Sequence, residues 1–227
     1  MGNYELEDQV KALEMLIEQG IVDKTRVGIT GWSYGNAIWH FWLESIHFGS
    51  IPFINLGGYL SLNAISKRSD LFKIAVCGAP VVLWEGDFFL PTWQSKEIEW
   101  SKKLENKAYD TGYTERYLKT PQSNPQGYRE SSILSYVTTM PNEEDRVVLV
   151  HGLKDENGLC NYFVLLSKLS IIEKLVHFSN TAQLIDAMNA TGKPYKLQVY
   201  PNERHGLRNP INSLHSEINL LKTWAKL

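Results

Sequence analysis

The stretch that most constrains this chain is Val27-Gly28-Ile29-Thr30-Gly31-Trp32-Ser33-Tyr34-Gly35. A short β-branched run climbs into Gly-x-Ser-x-Gly, the pattern of a sharp strand-to-helix turn with a serine at its strained tip. Any Cβ at the two glycines would collide where strand and helix pass closely, so glycine is required there. Gly-x-Ser-x-Gly arises by chance in about one chain in ten of this length. The strand-like run before it therefore carries the argument. Ser33 is a candidate nucleophile, with a plain surface Gly/Ser turn as the alternative.

The rest of the chain supplies a sheet for that turn to stand on. Residues 4–19 place Leu6, Val10, Leu13, Leu16 and Ile17 at spacings of three and four, an amphipathic helix ending near Gly20. Arg26 to Thr30 is the strand feeding the turn. Residues 73–81, 146–152 and 195–201 are three more apolar strands, with helices between them such as 182–189 and a last one over 213–226. Near-continuous apolar strands alternating with helices predict an α/β fold whose mostly parallel sheet is covered on both faces.

Composition excludes several function classes. A net charge of −2 gives no basic surplus for nucleic acid. Cys77 and Cys160 make neither a disulfide framework nor a metal-ligand spacing, and no metal or cofactor is expected. The polar, acidic start is unlike a signal peptide. The apolar stretch 36–57 contains His40, Glu44, His47 and Pro52, which argue against a membrane span. A cytoplasmic location is the expectation.

A nucleophilic serine needs a base within hydrogen-bond reach and an acid to orient that base. Asp155 follows the strand ending at Val150, in His151-Gly152-Leu153-Lys154-Asp155-Glu156-Asn157. His205 follows the strand ending at Tyr200, in Pro201-Asn202-Glu203-Arg204-His205-Gly206. Each taken alone could be an ordinary surface group. All three in the order Ser, Asp, His, each after a strand, point to acyl transfer. His151 closes a strand and is read as a packing or hydrogen-bonding residue; His40, His47, His177 and His215 are read as structural.

Three motifs, Gly31-Trp32-Ser33-Tyr34-Gly35, the run from Tyr109 through Tyr113 to Tyr117, and His151 to Asn157, resemble the catalytic domain of the prolyl oligopeptidase superfamily of serine peptidases. They are most similar to its dipeptidyl peptidase IV group, and Pro201 to His205 resembles the cytosolic branch. The resemblance implies an α/β-hydrolase fold and cleavage of peptides after a proline or alanine at the second position. It makes Ser33 the nucleophile, His205 the base and Asp155 its orienting carboxylate. The backbone N–H of Tyr34 would be an oxyanion donor. Tyr34, Val81, Trp84, Tyr109, Tyr113, Asn157 and Val176 would line a pocket for the proline ring, and a homodimer is a possible assembly.

Two departures from the family pattern bear on function. The chain reads as the C-terminal part of one catalytic domain over 1–227, without the family's β-propeller, its first sheet strands or a second oxyanion donor. Impaired activity is the expectation. In addition, segments at about 36–57, 86–107 and 158–175 interrupt the motifs, and removing each restores the family pattern. They open at Gly35, Gly86 and Gly158 and close at Gly57, Ala108 and Val176, residues whose codons can hold splice junctions; translated introns are the reading, inserted loops the alternative. Two other functions stay open: a non-catalytic remnant that binds a homologue, and an esterase for small substrates.

Overall fold

The computed structural model describes residues 1–34, 53–55, 57–84, 111–155 and 178–227, with the side chains of 53–55 and 111–113 outside that description. Helix α1 is Tyr4–Glu18, strand β1 Gly28–Trp32, β2 Phe53–Asn55, helix α2 Gly58–Lys67 and β3 Ile74–Gly78. Helices α3 (Thr111–Leu118) and α4 (Pro125–Ser131) and a 3₁₀ segment (Ile133–Thr139) lead to β4, Val147–Gly152. Helix α5 (Phe178–Ala190), β5 (Lys196–Tyr200) and α6 (Pro210–Trp224) complete the described elements.

The strands form one parallel sheet in the order β2-β1-β3-β4-β5. Parallel neighbours need a crossover over one face, and the connections here carry the helices that cover the sheet. On one face Leu6, Val10 and Leu13 of α1, Tyr59, Leu62 and Ile65 of α2, and Leu184 and Met188 of α5 join Val27, Ile29, Ala75 and Leu149 in the main core. On the other, Ile74, Val76, Val150 and Tyr200 form a smaller cluster with Leu207 and Leu220 against it. This is the α/β arrangement expected from the apolar strands.

Helix α2 is the centre of the molecule. Gly58 to Ser66 are all buried, so it has no solvent face and the two-sided pattern of a surface helix is absent. Of its polar members, Ser66 Oγ donates to the Leu62 carbonyl one turn back at 2.6 Å, and Asn63 Nδ2 to the distant Gly2 carbonyl at 3.3 Å.

Several boundaries differ from the sequence reading for local reasons. Strand β1 runs to Trp32 rather than Thr30, so Ser33 leaves the strand directly. Helix α6 begins at Pro210 rather than 213, because Asn209 Oδ1 accepts the N–H of Ile211 at 2.9 Å and Pro210 opens the first turn. Phe53–Asn55, inside a segment set aside as foreign to the family, pairs in register with Gly28–Thr30 and gives β1 a parallel neighbour. Among the described residues, no helix is long and apolar enough to cross a membrane.

Candidate active site

In a parallel sheet all C-terminal strand ends share one edge, so loops leaving different strands meet there. Ser33 leaves β1, Asp155 lies just beyond β4, and His205 just beyond β5. The ladder is extended one step past the strands at each exit. Ser33 N–H donates to the Gly78 carbonyl at 2.8 Å, and Leu153 and Lys154 N–H donate to the carbonyls of Tyr200 (3.1 Å) and Glu203 (2.9 Å). The three loops are thereby fastened to the sheet and, for the last two, to each other.

Ser33 has φ 61°, the left-handed region that a residue with a Cβ seldom adopts. That left-handed backbone is the conformation the elbow pattern calls for at its serine. Gly31 is needed for approach: a Cβ there would lie 2.2 Å from the Gly57 nitrogen. Gly152 does the same service between the other two loops, where a Cβ would lie 2.4 Å from the Arg204 carbonyl oxygen.

His205 Nδ1 is 2.9 Å from Asp155 Oδ2, and His151 Nε2 reaches the same oxygen at 3.2 Å. An ionised carboxylate only accepts, so both rings donate to it. With Nδ1 as its donor, a neutral His205 keeps the lone pair on Nε2 for proton transfer. The Asp155 side chain is fully buried, while that of His205 is 29% exposed. Burial pushes the Asp155 carboxyl up, but the N–H groups of His151 and then His205 outweigh it and hold the group below the usual carboxylate range.

Two further contacts position His205. Trp32 Nε1 donates to the His205 carbonyl at 2.5 Å, tying the loop to the residue before Ser33. Glu203, itself buried, accepts Arg208 N–H at 2.8 Å, Asn209 N–H at 3.3 Å and Asn212 Nδ2 at 2.6 Å. It thus clamps the loop onto the first turn of α6. This role is not legible in the sequence, since the partners of Glu203 are set by the chain's turn into α6.

The residues expected to line a pocket are brought together only in part. Tyr34, Tyr59 and Trp84 form an aromatic cluster, with Trp84 edge-on to both tyrosines at 5.2 Å between ring centroids. Val81 and Trp84 are buried in the main core, and Trp84 Nε1 donates to the Ser131 carbonyl at 3.1 Å. Tyr34 Oη donates to Glu5 Oε1 at 3.1 Å. Tyr109, Asn157 and Val176 lie outside the described residues, as do Gly35, Cys160, His40, His47 and His177; Tyr113 falls on α3 with its side chain outside them. His151 makes the hydrogen bonds read for it, and His215 bonds Tyr200 Oη at 2.9 Å. Among the described residues no group of three metal-ligating side chains could hold a metal ion.

A model of the prolyl oligopeptidase family matches residues 1–44, 55–170 and 173–226. The chain belongs to that family. Dipeptidyl peptidase 8 of Mus musculus and of Homo sapiens are each 37% identical to it over 222 residues, 97% of this chain and 18% of the relative. Dipeptidyl peptidase 4 of Sus scrofa is 28% identical over 217 residues, 95% of this chain and 20% of the relative. The chain thus spans about a fifth of the length of these curated relatives.

Proposed function

We propose that the chain carries the catalytic serine of a dipeptidyl peptidase, cleaving after a proline or alanine at the second position of a peptide. Ser33 is the nucleophile, His205 the general base and Asp155 the carboxylate that orients it. Ser33 Oγ attacks the carbonyl carbon of the second substrate residue while its proton passes to His205 Nε2. The C–N bond breaks and that proton leaves with the amine. Water, activated by the same imidazole, then hydrolyses the dipeptidyl ester on Ser33. The Tyr34 N–H supplies an oxyanion donor, and Val81, Trp84, Tyr109, Tyr113, Asn157 and Val176 the walls of the proline pocket.

The observation that carries this reading is the joining of the strained Ser33 turn, at φ 61°, to the Asp155–His205 pair through the Trp32–His205 bond. Labelling by a fluorophosphonate asks only for the triad. It is expected on the unmodified chain and lost in Ser33→Ala; an unreactive Ser33 rejects the catalytic reading and leaves a binding role. Turnover of a Gly-Pro amide asks for the pocket as well, and turnover of simple esters alone would mean an esterase.

A homodimer belongs to the same proposal. Ile211, Leu214, Ile218 and Leu221 are 76%, 58%, 40% and 50% exposed and run along one stripe of α6, the helix that bonds edge strand β5 through His215 and Tyr200. A second copy of the chain covering that stripe is expected in sedimentation, and Leu214→Glu with Ile218→Glu is expected to dissociate it. The resemblance to the cytosolic branch makes the cytoplasm the setting we assign.

A further inference from the structure

We propose that His151 is a positioning residue for the triad, sharing one carboxylate oxygen with His205 and locked by Thr181 in the tautomer that donates to it. The inference rests on the triad reading above and goes beyond it, since nothing in the nucleophile, base and acid scheme calls for a second imidazole.

The geometry is specific. His151 is wholly buried, its Nε2 is 3.2 Å from Asp155 Oδ2, and its Nδ1 is 2.7 Å from Thr181 Oγ1. Thr181, also wholly buried, lies on the first turn of α5, and Phe178 of the same turn sets its ring edge-on to His151 at 5.4 Å. A buried ring used for packing alone would leave two polar nitrogens to be satisfied at a cost. Here each nitrogen meets a partner of the kind it needs. Because Asp155 accepts, Nε2 must carry the proton; the Nδ1 lone pair is then free to accept from the Thr181 hydroxyl.

The chemical consequence lies on Asp155 Oδ2, where the N–H groups of His151 and His205 converge. A second N–H donor on the same oxygen limits how far the carboxylate can turn about its own axis, and the His205 ring with it. Bonded also by an immobile, buried ring, it presents a fixed oxygen. Sharing also divides the negative charge, so that less of it acts on His205. Around Asp155 the titratable groups among the described residues are these two histidines; the Glu203 carboxylate is turned toward Arg208, Asn209 and Asn212.

The test uses the full chain, with histidine ring nitrogens observed by NMR and fluorophosphonate labelling followed across pH. His151 is expected as the Nε2–H tautomer; an Nδ1–H tautomer overturns the proposal. In His151→Phe, Asp155 loses one N–H donor and more of its charge acts on His205, so the acid limb of the labelling profile is expected to move up by about 0.5–1 pH unit. His151→Gln, whose amide N–H can reach Oδ2, is expected to move it back. A structural role would lower the amount of folded protein in both variants and leave the limb in place, and that result overturns the proposal. Should His151→Phe not fold, the tautomer in the unmodified chain still decides. An unreactive wild-type Ser33 rejects the triad reading, whereas the wrong tautomer with a reactive Ser33 rejects only this one.

Discussion

Ser33, the proposed nucleophile, shows what a left-handed turn costs its own backbone. Holding a side chain at φ 61° is unfavourable by about 1–2 kcal/mol, and glycine removes that term. Ser33→Gly is therefore expected to unfold at higher urea concentration than Ser33→Ala, by about 1 kcal/mol in stability, with both unreactive to fluorophosphonate. Equal midpoints would mean the turn is unstrained. Gly152 gives the opposite case. A methyl group there meets the Arg204 and Glu203 carbonyl oxygens at 2.4 and 2.5 Å, so Gly152→Ala should displace the His205 loop and slow labelling at least tenfold, while leaving most helix signal intact. That Ser33, Asp155 and His205 come to one edge of the sheet was legible in the sequence because each sits just past an apolar strand, where chain order alone fixes its side of the sheet. Thr181 and Glu203 were not. Their partners lie across α5 and α6, and nothing in a Thr inside a helix or a Glu in a polar loop announces which nitrogen it will meet.

At the scale of elements, the turn and α2 behave as neighbours although residues 35–56 come between them in the chain. Tyr59 N–H donates to the Ser33 carbonyl at 2.9 Å. Deleting 36–57 would make Tyr59 the fourth residue after Ser33, so this contact is the i to i+4 bond of a helix running straight out of the turn. The geometry supports reading 36–57 as an insertion into a continuous turn and helix. The deletion would remove β2 and its three register pairs with β1, at about 1 kcal/mol net for each hydrogen bond lost. Against that, it joins the turn directly to α2, so the entropy of closing the longer connection is no longer lost on folding. The deleted chain is expected to keep its far-ultraviolet helix signal and its Ser33 labelling; loss of both would show that the segment is part of the fold. The long strands and α1 were legible because their periodicity is uninterrupted. The β2 strand was passed over because its segment breaks a motif, and α3 and α4 because short helices carry too few apolar repeats to show a period.

At the scale of the whole molecule, two buried carboxylates among the described residues stand at one edge of the sheet. Asp155 joins the β4 and β5 loops, and Glu203 joins the β5 loop to α6, whose Leu220 packs on the second core. Both carboxyls lie below their usual range. For Glu203 the Asn212 amide is the main cause, opposed by burial and aided by the N–H groups of Arg208 and Asn209. Asp23, Asp70 and Glu143 are lowered too, but they are exposed and water screens them. A carboxyl lowered on folding stabilises the native state in full above its unfolded value, about 3.9 for Asp and 4.3 for Glu, and that contribution fades as pH falls through the folded value. Acid should therefore undo the site and the α6 face of the core together. Urea midpoints of the unmodified chain are expected to drop steeply below about pH 4. Glu203→Gln should begin less stable near neutrality, since three N–H donors lose a charged acceptor, and should then lose less on acidification, so that the two curves converge. Curves that stay parallel from pH 7 to pH 3 would place the acid-sensitive groups elsewhere in the chain, and would leave Glu203 a bystander to the attachment of α6.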